Sequence, residues 1–342
     1  MSNDPSDLGW HDQLSRWFVH VKRDLPWRKN ADPYAILVSE TMLQQTTVKA
    51  VVPYFERWMD RLPNFAALAE ASEGELLSLW AGLGYYSRCR RLHQTGKTVV
   101  ATGVPTTFEG WLELPGVGPY TAAAVSSLCF GLPCAVVDGN VERVYSRMNV
   151  DPSVSAKLRQ AAQRWADKAM CRASVNVEPG AWNESLMELG ATVCRPKSPL
   201  CDQCPVSDNC QAHQSGSTHI FPTKVPRLPP QRLEHTIWVV AHEEKFGVVQ
   251  SAEGQWWAGM WGFLRTESSE VPELLRNASS ISIGTFRHTV TRYDIRVDVR
   301  YVELVDAVQG LTWVGVNKLE RLAFPNPQLQ ALRLLRIRLA DS

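Results

Sequence analysis

An all-α domain over residues 1–210, a proline-rich tether over 211–231 and a smaller α+β domain over 232–342 are the architecture this sequence predicts. Three observations carry that reading. In the first two hundred positions apolar residues recur at helical spacing, with no convincing run of alternating strands. At 211–231 the composition shifts sharply, and HQSGSTHIFPTKVPRLPPQ is polar and rich in proline. Beyond it the apolar period becomes two.

Each element follows from local chemistry. Asp32-Pro33 is a helix start, with aspartate as N-cap and proline at the first helical position, and it opens a helix expected over 34–50. Helical spacing continues over 66–77, 87–100, 120–130, 141–148, 155–170 and 182–194. The tether is expected to be extended, too poor in apolar side chains to pack alone. After it, HTIWVVAHEE, KFGVVQSA, SISIGTF and YDIRVDVRYVEL alternate or run β-branched and are expected strands, and LQALRLLRIRL closes the chain as a helix.

At 342 residues the chain is long enough for two or three domains with separate cores. Its 44% hydrophobic and 21% charged content is ordinary for a soluble globular protein. No apolar stretch is long enough to span a bilayer, and MSNDPSDLGW lacks the basic-then-apolar build of a secretory signal, so a cytoplasmic, membrane-free monomer is expected. A net charge of +1 requires any basic surface for DNA to be local. Cys89, Cys129, Cys134 and Cys171 show no regular spacing and are expected to be buried thiols rather than disulfides.

The other four cysteines are different. Cys194, Cys201, Cys204 and Cys210 form Cys-x6-Cys-x2-Cys-x5-Cys, enough thiolates for one tetrahedral zinc or one [4Fe-4S] cluster. Only the middle pair is close, and outer ligands reaching in from longer loops suit the larger cluster better. Spacing alone leaves zinc as a rival.

Three further places carry chemistry. Leu114-Pro115-Gly116-Val117-Gly118-Pro119-Tyr120 lies between helical stretches, and Gly116 and Gly118 let the backbone turn tightly and present amide N–H groups to a phosphate. The same string also suits any tight interhelical turn. Glu40 has Ile36 and Leu43 on its own helix face, so desolvation should raise its pKa and keep a proton available near neutrality. The alternative is a glutamate at the edge of the stripe reaching water. Asp138 follows Ala135-Val136-Val137 and precedes a helical stretch, where an N-cap is the plain reading and is compatible with a catalytic one.

Together these residues resemble a known family. MLQQT after Glu40, LWAGLGYYSR, LPGVGPYTA, VVDGNVERV and the cysteine hook occur in the order found in the endonuclease III superfamily of base-excision DNA glycosylases, over about residues 20–210. The resemblance implies a helix-hairpin-helix at residues 114–121, a [4Fe-4S] cluster on the four cysteines and a catalytic Asp138. Bifunctional members carry a lysine where this chain has Tyr120, and the adenine-removing MutY branch carries the glutamate of SE-x-MLQQT, present here as Ser39-Glu40. The chain therefore resembles the MutY branch. That implies double-stranded DNA with an adenine mispair as partner, Glu40 as the acid at adenine N7, and Asp138 as the group facing the developing oxocarbenium. Tyr120 and Asn140 are implied supports for Asp138 and the sugar. Trp27, Arg28, Leu43 and Glu184 match residues of the adenine pocket, and Gln45 and Tyr85 match those that fill or wedge the duplex. Ordinary aromatic core is the alternative for Trp27 and Tyr85. Arg195 and Lys197, between the first two cluster cysteines, match a loop that lays basic side chains on phosphates.

From about residue 232 the resemblance continues into a Nudix-like domain that reads 8-oxoguanine opposite the adenine. No REx2EExG metal helix accompanies it, so pyrophosphatase activity is not expected. The family's His-x-Phe-Ser-His hairpin is replaced by His288-Thr289-Val290-Thr291-Arg292. Thr291 keeps a hydroxyl able to accept the N7 hydrogen of 8-oxoguanine, Val290 lacks an aromatic face, and Arg292 adds a charge suited to a phosphate. A pyrimidine or mismatch glycosylase, and a DNA-binding protein without catalysis, are the rival readings. Glu40 argues against the first, since N7 protonation is purine chemistry, and its pairing with Asp138 argues against the second.

Overall fold

In the computed structural model, which describes residues 9–173, 177–226, 228–267 and 270–341, the chain divides into two units. One comprises Met1–Glu70 with Arg91–Pro226, the other Ala71–Arg90 with Arg227–Ser342. The opening residues MSNDPSDL, read above for a leader, lie outside the described residues. No helix among those described is long and apolar enough to cross a membrane.

Helices run in the order α1 (Trp10–Val21), α2 (Pro33–Leu43), α3 (Val48–Arg61), α4 (Phe65–Glu70), α5 (Glu73–Trp80), α6 (Ser87–Thr102), α7 (Phe108–Leu112), α8 (Pro119–Phe130), α9 (Gly139–Met148), α10 (Ser155–Ala173), α11 (Pro179–Glu188) and the short α12 (Gln211–Gln214). Asp32 caps α2 as expected, accepting from the Tyr34 and Ala35 amides, with Pro33 at the first position. The helix nevertheless stops at Leu43, short of the expected residue 50, because Gln44 leaves helical geometry and Gln45 is left-handed at φ 62°. The expected 66–77 helix is likewise two helices, broken where Ser72 caps α5 through the Glu75 amide.

From Tyr34 to Met42 every residue of α2 is buried. There is no solvent face, so Glu40 sits in a wholly enclosed helix rather than on the edge of an apolar stripe. The helix packs against α8, whose Thr121 to Ser127 are small and buried, allowing close approach. Asn183 of α11 serves the same core by accepting from the Val136 amide and donating to Ser127 and to the Cys134 carbonyl. The α1, α9, α10 and α11 core includes Leu14, Val141, Ala166 and Leu186, and Cys194, Cys204 and Cys210 pack against it. Cys89 is buried and Cys129 and Cys134 half-buried; Cys171 is exposed, against the expectation, because it lies on the outer face of α10. The start of the tether is not extended: α12 forms, and Arg147 donates to the Thr218 and Phe221 carbonyls.

The second unit holds a mixed sheet with strand order β3-β2-β1-β6-β5, β4 on β1 and β7 on β2. Its strands are β1 (Gln231–His242), β2 (Lys245–Gln250), β3 (Trp261–Gly262), β4 (Leu264–Thr266), β5 (Ser280–Val290), β6 (Tyr293–Glu303) and β7 (Thr312–Gly315). β1 and β6 pair in parallel from Gln231↔Tyr293 to Ala241↔Glu303, and the other pairings are antiparallel. After the short α13 (Val316–Leu319), α14 (Asn326–Ala340) packs on β1, β5 and β6, where Ala331, Leu332 and Leu335 join Val239, Val297 and Val299 in one core. Trp238, Val240 and Val302 form a second core on the other face. Strands β3, β4 and β7 have only two to four residues, too short for a period of two to register in the sequence.

Candidate active site

A cavity of about 510 Å³ opens among α2, α8, α9 and α11, within the usual range for small-molecule sites. Its lining includes Glu40, Tyr120, Asp138, Asn140, Trp27, Arg28, Leu43, Gln45 and Glu184. Nine of the positions singled out from the sequence thus converge on one space, although they are drawn from five separate stretches of chain.

Glu40 stands 5% exposed in that enclosed helix. Burial, opposed by the Tyr120 hydroxyl and reinforced by the Asp138 and Glu184 charges, raises its carboxyl to about 7. The Tyr120 hydroxyl donates to Glu40 Oε2 at 2.6 Å, and Oε1 has no hydrogen-bond partner among the described residues. That leaves Oε1 to carry the proton. The sequence reading made Tyr120 a support for Asp138; its bond goes to Glu40 instead, because α8 brings the ring up beside α2. Burial and the neighbouring Glu40 carboxyl raise the Tyr120 phenol well above its ordinary value, so it remains a donor.

Asp138 occupies the N-cap of α9, as the plain reading had it, and lines the cavity. Oδ1 accepts from the Asn140 and Val141 amides at 2.9 and 2.8 Å, and Oδ2 accepts from Asn140 Nδ2 at 2.6 Å. Burial raises its carboxyl, while these three donors and Arg143 act in the other direction. Glu40 receives one hydroxyl donor and Asp138 receives three N–H donors at a helix N-terminus, so more donors oppose burial at Asp138 than at Glu40.

One wall is an ion-pair network that the sequence reading half missed. Arg28 bonds Glu184 through Nε at 2.6 Å and Glu188 through Nη2 at 3.0 Å, and Arg23 grips Glu188 from the other side at 2.5 and 3.0 Å. Burial would raise the Glu188 carboxyl, but Arg23 and Arg28 outweigh it and hold it below the usual range. Glu184, ion-paired with Arg28, is still raised by burial. The four-residue spacing of Glu184 and Glu188 places them on one face of α11, and that was the available signal. Trp27 is both core and lining, 4% exposed and edge-on to Phe55 at 5.3 Å.

The hairpin glycines lie apart from the cavity. Gly116 is left-handed at φ 77°, and a Cβ there would meet Arg91 Cβ at 2.5 Å; Gly118 caps α8 and has open space around it. In the second unit, Tyr85 is 47% exposed and left-handed, with Arg88 over its ring at 5.4 Å, so it is not core. His288 and Val290 lie within β5 rather than in the turn, with Val290 packed on the sheet core and burial lowering the His288 imidazole. Only Thr291 and Arg292 form the tip. Thr291 is left-handed at φ 49°, and Arg292 donates to the Tyr293 hydroxyl at 3.0 Å.

Cys194, Cys201, Cys204 and Cys210 line a second, small cavity beside Arg147. Among the described residues no three His, Cys, Asp or Glu side chains stand close enough to share one metal ion. Four thiols around one space are the donor set that a [4Fe-4S] cluster takes. Donors aimed at sulfur complete the fit: Arg147 Nη1 lies 3.2 Å from Cys194 Sγ, and backbone amides face Cys204 and Cys210. Burial pushes the Cys204 thiol up to about 12, so bound iron would supply the charge that holds it as thiolate. Arg143, unforeseen from sequence, ties this loop to the carboxylates by donating to Asn140 Oδ1 and to the Gly190 and Cys194 carbonyls.

Residues 38–168, which carry Glu40, the hairpin and Asp138, match the HhH-GPD superfamily of base excision DNA repair proteins. Over that stretch the chain is similar to that superfamily. Residues 194–210 match the iron-sulfur binding domain of endonuclease III, and the cofactor is a [4Fe-4S] cluster. Curated relatives include the human adenine DNA glycosylase, 37% identical over 88% of this chain and 66% of that protein. A second, from Buchnera aphidicola, is 26% identical over 94% of this chain and 97% of its own length. The chain thus spans just under two thirds of the human relative, and 41% of the rat adenine DNA glycosylase. Among solved structures it is similar to a thermostable thymine-DNA glycosylase, with TM-score 0.55 and 27% identity over 60% of this chain and 95% of that one. A trapped endonuclease III–DNA intermediate shares the fold, with TM-score 0.50 and 22% identity over 60% of this chain and 94% of the other.

Proposed function

We propose that this protein is a monofunctional adenine DNA glycosylase acting on double-stranded DNA with adenine mispaired opposite 8-oxoguanine or guanine. The observation that carries the reading is that Glu40, its carboxyl raised to about 7, and Asp138, accepting from three N–H groups, line one cavity sized for a base, with a tyrosine where a Schiff-base lysine would be required for lyase chemistry. The flipped adenine enters the cavity, since its glycosidic bond cannot be reached inside the duplex. Glu40 Oε1 gives its proton to N7, the C1′–N9 bond breaks with its electrons passing to the base, and the Asp138 carboxylate stabilises the cation left at C1′. Water adds at C1′, and its proton leaves to the carboxylate side. In this reading Asn140 holds Asp138, Tyr120 holds Glu40, and Trp27, Arg28, Leu43 and Glu184 enclose the base. Gln45 and Tyr85 fill the duplex, and Gly116 and Gly118 seat a phosphate. Cys194, Cys201, Cys204 and Cys210 would hold the cluster, whose bonds would fix the loop that carries the basic Arg195 and Lys197 toward the DNA backbone.

The sheet unit is Nudix-like in this proposal and reads the base opposite the adenine through His288, Thr291 and Arg292. Support comes from the exposed, left-handed Thr291 at the tip of the β5–β6 hairpin. Single-turnover base release from duplexes with adenine opposite 8-oxoguanine, guanine, cytosine or thymine, and with thymine opposite guanine, tests the whole reading. Adenine release opposite 8-oxoguanine, with strand cutting only after alkali, is the expected result. Thymine release would move the assignment to a mismatch glycosylase, and no release to a binding protein. A Thr291→Val variant with an unchanged 8-oxoguanine:guanine rate ratio would remove Thr291 from the account.

A further inference from the structure

Where α11 ends, a single π turn follows over Leu189–Val193, closed by the Cys194 amide donating to the Leu189 carbonyl at 2.7 Å. Such a turn widens the helix locally and recurs at functional sites. Gly190 lies inside it. A Cβ on Gly190 would meet Asn140 Cβ at 2.5 Å and the Asn140 Cα and backbone oxygen at 3.0 Å. Two of those three atoms are backbone and cannot rotate away. The Gly190 carbonyl in turn accepts from Arg143 Nη2 at 2.7 Å, and the same guanidinium nitrogen donates to Asn140 Oδ1 at 2.8 Å. Asn140 is the residue whose amide and side chain both donate to Asp138.

We infer that Gly190 is a positioning residue for base excision, its missing side chain setting the depth at which the N-terminus of α9, and with it Asp138, seats in the cavity. The inference rests on the glycosylase reading above. Gly190 has no left-handed φ, so the backbone does not demand glycine there, and alanine in helical geometry is intrinsically the better residue. What glycine supplies is space. An added methyl forces Asn140 away by about the 1 Å that costs a positioned reaction about 10²-fold. Asp138 then loses N–H donors, so its carboxyl is left higher.

The test is Gly190→Ala in the full chain with its cluster, beside Asn140→Ala and the double variant. Iron content and duplex affinity should stay within about twofold of wild type, single-turnover release should fall about 10²-fold, and the acid limb of its pH profile should move to higher pH. Asn140→Ala keeps the Cβ and backbone atoms that the added methyl meets, so the double variant should be slower than Asn140→Ala alone. A double variant no slower than Asn140→Ala, an unmoved pH profile, or loss of the cluster in Gly190→Ala would each overturn the role. Titrating the Asp138 carboxyl by 13C NMR in DNA-free protein reads the same displacement without substrate. A wild type that released no base would therefore sink the glycosylase reading while this inference was still decided by whether Gly190→Ala raises that titration.

Discussion

Glu40 shows how one buried residue links stability to chemistry. Its carboxyl is raised from 4.5 to about 7, chiefly by burial. The folded state therefore holds the proton more tightly than the unfolded chain, and the associated stability is fully present below about 4.5 and lost as pH rises through about 7. Glu40→Gln, which cannot ionise, should gain about 3 kcal/mol on wild type between pH 5 and pH 8 in urea unfolding. The same variant should lose at least about 10²-fold in adenine release, because the proton for N7 is gone. In the wild type, release should fall above about pH 7 as Glu40 ionises. Tyr120→Phe removes a donor that stabilises the Glu40 anion, so the alkaline limb should move to higher pH. A limb that moved down, or not at all, would contradict the bond to Oε2. Residue identity was legible here: Glu40, Asp138 and the cysteines were picked out by type and neighbours. Tyr120's partner was not, because it depends on how α8 lies against α2, a contact between residues eighty positions apart.

At the scale of the element, α9 does three things with ten residues. Its N-cap is Asp138, its first turn carries Asn140, and its later turns send Arg143 and Arg147 to the cluster loop. Capping and the proposed catalytic role can be separated. Asp138→Asn keeps an oxygen for the Asn140 and Val141 amides and should change stability by less than about 1 kcal/mol, while Asp138→Ala should cost about 1–2 kcal/mol. Both should abolish base release, and thermal melts beside single-turnover assays would show the split. Helix starts were readable because Asp32-Pro33 and Asp138 carry local signals. Helix ends were harder. The break at Gln44–Gln45 has no glycine or proline to announce it, and both residues line the cavity.

On the scale of the molecule, the four-cysteine loop supports more than itself. Arg147 spans from Cys194 Sγ to the carbonyls of Arg195, Thr218 and Phe221, so one buried guanidinium ties the loop to the start of the tether. Cys204→Ser should lose the cluster's visible absorbance and lower the melting temperature by at least about 4 °C, the equivalent of roughly 2 kcal/mol in a domain of this size. Unchanged melting would mean that protein contacts alone hold the loop. The order of classes along the chain, helical then sheet, was plain from periodicity. The grouping of Ala71–Arg90 with the sheet-bearing unit was not, since those residues read as helix and turn like their neighbours.

The sequence by itself determined the chemistry available: an acid in an apolar helix, an aspartate at a helix start, a glycine hairpin, four cysteines and no Schiff-base lysine at the hairpin. Those are local properties, written in residue type and spacing of a few positions. Only the tertiary structure decided how they work together. It gave Tyr120 to Glu40 rather than Asp138, closed Arg23, Arg28, Glu184 and Glu188 into one network, and set Gly190 against Asn140. Each of these is a contact between distant stretches of chain, fixed by the packing of whole helices, and no local pattern encodes the distance at which two helices come to rest.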